Sequence, residues 1–163
     1  MALISLVVVG TSSFIGIYVL SEADEGPLTL GEARQNGSVR LVANESLLVN
    51  ERKEEELMRE VHAMHMYWNE LLGWGAWKTF KPSEKKDALE SKMKYIRTIL
   101  VPETQGSLKK DLNRAADMIE EALKEDHTEK LRTTHRIFHD LDVVMNDIVV
   151  DVVWGVTETY GKQ

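Results

Sequence analysis

Hydrophobic residues run without a single charge from Ala2 to Leu20 (ALISLVVVGTSSFIGIYVL), and the first ionisable side chain is that of Glu22. As a helix this run rises about 28 Å, close to the ~30 Å hydrocarbon core of a bilayer. Core strands usually end after about 4 to 8 residues and buried helices keep a polar edge, so the pattern predicts a membrane anchor or signal helix over residues 1–20. A cleavable signal peptide would carry a basic n-region and an apolar stretch of about 7 to 15 residues. Here no Lys or Arg precedes the run and the stretch is longer, which favours a retained anchor. Ser21-Glu22-Ala23 would serve as a cleavage site in the alternative, a secreted chain. The nearest basic residue to the span is Arg34 and the flank SEADEG is acidic, so nothing holds the body in the cytoplasm. The expected arrangement is a single-pass cell-membrane protein with its C-terminal domain extracytoplasmic.

Beyond Leu20 the pattern changes twice. Residues 21–43 mix polar and apolar positions around Gly26-Pro27, Gly31 and Asn36-Gly37-Ser38, and predict a linker. Residues 44–163 carry apolar positions at spacings of three and four, and predict a helical bundle domain. A first helix, from about Asn44 to Leu72, has Leu57, Val61, Met64, His65, Trp68, Leu71 and Leu72 on one stripe, and Gly73 ends it. A second opens near Ser83, buries Leu89, Met93, Ile96 and Leu100, and stops at Pro102. The third starts near Ser107 with Leu108, Leu112, Ala115, Ile119, Ala122 and Leu123 inside. Asp126 and Glu129 suit an N-cap and N3 pair, so a fourth helix starts near His127 with Leu131, Thr134, Phe138, Leu141, Met145 and Ile148 inside. Its tail IVVDVVWGV is β-branched enough for a strand, but a lone strand would lack a partner, so the helix is extended to about Val153. The expected fold is all-α: an N-terminal transmembrane or signal helix followed by an antiparallel bundle of about four helices.

Composition narrows the function classes. The net charge is −7 and none of it lies in the apolar run, which argues against nucleic acid and anionic lipid surfaces as main partners. There is no cysteine, so disulfides, thiolate metal sites and thiol nucleophiles are excluded. The segment LVVVGTSSFIG looks like a nucleotide loop and fails as one. From Gly10 a P-loop would need its second glycine at Ile15 followed by Lys, and a Rossmann loop would need three glycines where only Gly10 and Gly16 stand. Nucleotide is therefore not an expected partner. Asn36-Gly37-Ser38 and Asn44-Glu45-Ser46 match the glycosylation acceptor pattern, which arises often by chance.

One constellation carries candidate chemistry. Of five histidines, four form two helical pairs, His62 with His65 at i, i+3 and His135 with His139 at i, i+4; Asp142 continues the second face. Both spacings present two imidazoles from one helix face, as a metal site requires. If the first and fourth helices are neighbours, the five residues could hold zinc or copper, and Met58, Met64 and Met66 would add soft ligands suited to copper(I). The bland reading is that these histidines hydrogen-bond neighbours or face solvent and that the methionines are packing. No HExxH or ExxH pattern is present and no serine sits in a nucleophile elbow, so no catalytic residue is assigned. Trp68, Trp74 and Trp77 could form a stacking platform or dip into a lipid interface, but aromatic residues in such a loop more often cap a bundle core.

At THRIFHDLDVVMND and WGVTETYGK the chain resembles small uncharacterised extracytoplasmic helical proteins of Gram-positive bacteria. The likeness covers roughly the last thirty residues, is tied to no named family, and implies a bacterial envelope origin and a helical C-terminal region without implying an activity. The expected function is that of a membrane-tethered, extracytoplasmic helical bundle with a non-catalytic binding or structural role and no cofactor. Its partners would be the membrane, through residues 2–20, and an envelope protein. The alternative is a metal-binding or metal-sensing bundle using the paired histidines; a second alternative is a secreted bundle after signal cleavage.

Overall fold

A computed structural model describes residues 27–39, 46–149 and 151–161. The anchor expected over residues 1–20 lies outside the described residues. Among those described, no helix is long and apolar enough to cross a membrane. The fold is mainly helical, with one two-stranded antiparallel pair.

Its elements are β1 (Leu28–Thr29), α1 (Leu30–Gln35), α2 (Glu54–Leu72), α3 (Lys86–Tyr95), α4 (Gly106–Glu125), α5 (Thr128–Met145) and β2 (Val152–Val153). Glu54, Glu55 and Glu56 crowd the first turn of α2, where the helix dipole favours negative charge. The helix buries Leu57, Val61, Met64, His65, Trp68 and Leu72, the stripe that the spacing predicts. It starts later than Asn44: residues 46–50 are extended, with Val49 and Gln105 donating to Glu103 and Leu47, and only a short 3-10 turn, Glu51–Lys53, precedes it. α3 runs on through a π-turn, Ile96–Leu100, and a 3-10 turn, Val101–Glu103. α2 packs on α5, α5 on α4 and α4 on α3, around Trp68, Leu112, Ile119, Leu131, Phe138 and Leu141.

Three boundaries differ from expectation. Asp126 does not cap the start of α5 but ends α4 in the left-handed conformation, φ 49°. Its carboxylate accepts from Ser83, backbone N at 2.8 Å and Oγ at 3.0 Å, and His127 takes the N-cap position of α5. α5 stops at Met145 rather than near Val153. Asp147 at φ 54° and the 2.9 Å bond from Ile148 N to Val143 O close it as a Schellman turn. The β-branched tail then becomes β2, and its partner is β1, with Leu28 opposite Val153 and Thr29 opposite Val152.

That pairing corrects the linker reading for residues 28–39. Thr29 and Glu32 form a capping box that starts α1, and Leu30, Ala33 and Val39 are buried in the core. A six-residue helix with only Leu30 and Ala33 buried gives too little periodicity to stand out beside glycine and proline.

Two buried aspartates hold the C-terminal tail against the bundle. Asp140 on α5 accepts from the backbone N–H groups of Trp154 at 2.8 Å and Val156 at 2.9 Å. Asp111 on α4 accepts from the N–H groups of Glu158 and Thr159, both at 2.9 Å, and from Thr159 Oγ1 at 2.7 Å. Four tail amides, those of Trp154, Val156, Glu158 and Thr159, thus meet a carboxylate side chain.

Candidate functional site

The contact between α2 and α5 brings the two histidine pairs together. Asp142, its side chain 1% exposed, projects from α5 toward α2. His65 Nδ1 lies 2.7 Å from its Oδ2 and His62 Nδ1 3.0 Å from the same oxygen, while Asn146 Nδ2 donates to Oδ1 at 2.6 Å. Burial pushes the Asp142 carboxyl up, but the hydrogen bonds from His65 and His62 outweigh it and hold the group below the usual carboxylate value. An ionised carboxylate only accepts, so both imidazoles present N–H at Nδ1 and their Nε2 atoms face away from it.

His135 and His139 lie behind His65. The His65 ring centroid is 4.7 Å from that of His139 and 5.8 Å from that of His135, and the last two are 6.2 Å apart. His135 Nε2 and His139 Nδ1 are buried without a hydrogen-bond partner. The nearest acids to His139 are Asp140 at 3.6 Å and Asp151 at 3.8 Å, too long for hydrogen bonds. Burial, with the neighbouring His65 and His139 adding to it, pushes His135 down to about 4, so at neutral pH its ring is uncharged.

All five candidates, His62, His65, His135, His139 and Asp142, therefore share one seam. They are not equivalent: His62 is more than half exposed, whereas His65 and His139 are nearly enclosed. Among the described residues, no group of three or more His, Asp or Glu side chains is placed so that it could hold a metal ion. The methionines do not join the seam as a set. Met64 is buried while Met66, two residues on and across the helix, is half exposed, and Met58 lines an open groove with Arg59, His62, Asn146 and Ile148. The reading from sequence missed Asn146, although it stands one turn after Asp142 and the spacing alone places it there. It also missed Asp151 beside His139.

The aromatic loop divides. Trp68 is fully buried; Trp77 and Phe80 are partly buried against the core, and the Arg132 guanidinium stacks 3.8 Å from the Trp77 ring. Trp74 caps nothing: it is fully exposed, in the left-handed region at φ 53°. Comparison with protein-family models, with curated proteins and with solved structures gave no match, so the chemistry of the seam rests on its own geometry.

Proposed function

We propose that the chain is a membrane-tethered, extracytoplasmic antiparallel helical bundle with a non-catalytic binding or structural role. The observation that carries this reading is the state of the buried acids. Asp111, Asp140 and Asp142 each take two or three hydrogen bonds from the protein itself, and none is left as a free carboxylate in an open cleft. General acid–base chemistry needs a group within reach of substrate, and here those groups join helix to helix and tail to bundle. The uncharged run before β1 supports the tether, and the C-terminal resemblance supports an envelope location.

A reporter that works only outside the cytoplasm, fused after Gln163, is expected to be active, with the protein in the membrane fraction. A well-expressed but inactive fusion refutes the orientation. An active one released to the medium replaces the anchor with a cleaved signal.

A further inference from the structure

Two arginines one turn apart on α5 each sit over an indole from a different part of the chain. Arg132 lies 3.8 Å from the ring centroid of Trp77, in the loop after α2, and Arg136 lies 4.2 Å from that of Trp154, in the C-terminal tail. Lys78 stands 6.0 Å from the Trp77 ring. We propose, on the tether reading above, that this stripe and the neighbouring Trp74 dock the bundle on the headgroup layer of its own bilayer, cations on lipid phosphate and indoles at the boundary.

The chemistry of the stripe suits that layer. Trp74 is fully exposed and Trp154 is 40% exposed. An indole has an apolar body and a single N–H, so it prefers the boundary between lipid and water to either phase. A guanidinium lying over a ring keeps its N–H groups at its edge, where they can donate to phosphate. Arg136 makes no ion pair among the described residues, and Arg132 gives only Nη1 to Glu129, at 2.7 and 2.8 Å. The chain carries a net charge of −7, yet three cations of the stripe, Lys78, Arg132 and Arg136, are matched there by one ion-paired acid, Glu129. The carboxylate of Asp140 is turned to the amides of Trp154 and Val156 instead.

Chain connectivity selects the partner. Leu28 lies opposite Val153, so the polypeptide enters the fold beside the residue that precedes Trp154. Seven residues, numbers 21–27, separate that point from the apolar run, and fully extended they span at most about 25 Å. Arg132 and Arg136 are only about 6 Å apart along the helix axis, so the whole stripe stays near the entry point. A tether this short gives the bilayer surface a higher effective concentration at the stripe than a diffusing partner reaches.

The test reconstitutes the full chain in liposomes of phosphatidylcholine and phosphatidylglycerol, with and without a phospholipid that carries a nitroxide on its headgroup. The protein should float with the lipid even in high salt, and the nitroxide should quench its tryptophan emission. Replacing Trp74 and Trp154 together with Phe should remove most of that quenching, since Trp68 is fully buried. Arg136→Glu and Lys78→Glu should each lower the quenching about twofold, because a cation near the surface attracts lipid and an acid repels it. Lys109→Glu, at the far end of α4, should leave it unchanged. Flotation without quenching, or quenching unaltered in both Arg136→Glu and Lys78→Glu, overturns the surface while the tether stands. Dimerisation in the bilayer without quenching gives the stripe to a second copy and also overturns the proposal. Flotation lost in high salt, with quenching in low salt, supports the surface and overturns the tether; no flotation in either overturns both. Should Arg136→Glu unfold, the fully solvated Lys78→Glu decides alone.

Discussion

Asp142 and His135 show opposite ways of placing an ionisable side chain in the same seam. Asp142 is charged and saturated with donors; His135 is neutral because burial and two neighbouring imidazoles disfavour its proton. The pH dependence follows from His135. In the unfolded chain it titrates near 6.5 and in the folded chain near 4, so between those values the unfolded state holds more protons. Stability should be full above pH 6.5 and fall by about 3 kcal/mol on the way to pH 4. Urea midpoints measured across that range should decline, and the decline should shrink in His135→Gln; an unchanged slope would assign the acid sensitivity elsewhere. Asp142→Asn should cost about 1–3 kcal/mol in the same experiment at neutral pH, because an amide cannot accept from His65, His62 and Asn146 together. The four histidines were visible in sequence as helical pairs, since spacing alone sets which residues share a face. Their protonation was not, because it depends on what packs opposite.

The C-terminal tail is the element whose role the local pattern misassigned. Residues 147–153 are β-branched enough for a strand, yet the partner, Leu28–Thr29, lies more than a hundred residues earlier in a stretch rich in helix breakers. Periodicity reports on a segment's own geometry and says nothing of a partner that far away. The clasp depends on the two tail-holding aspartates. Asp140→Ala should free the amides of Trp154 and Val156, and Asp111→Ala those of Glu158 and Thr159, each raising hydrogen exchange there and lowering stability by about 1–3 kcal/mol. Exchange rates unchanged in both variants would show that the tail is held by packing alone. The loop after α2 behaves differently. Trp74 contributes no packing and sits at φ 53°, so Trp74→Gly should leave stability unchanged or raise it by up to about 1 kcal/mol in thermal melts. A clear loss would mean the indole is buried against something in solution.

At the scale of the whole molecule, the inside stripes of four helices were legible from residue type and spacing. Leu57, Val61, Met64 and Trp68, then Leu89 and Ile96, then Leu112 and Ile119, then Leu131, Phe138 and Leu141 are all buried. On the proposed tether, the intact mass of the protein recovered from cells should include residues 2–20; a species beginning after Ala23 would show that the apolar run is a signal and not an anchor. What the sequence by itself determined is the four long helices and their apolar faces, because a helix's period is a property of local chain geometry. It also determined that no thiol and no nucleotide loop is available. Only the tertiary structure decided that α2 lies against α5, that two residue pairs 70 positions apart become one seam around Asp142, and that the presumed linker closes a strand pair with the tail. Those outcomes depend on which apolar faces bury one another and on where each desolvated amide and carboxylate finds its partner, and both are settled between distant segments.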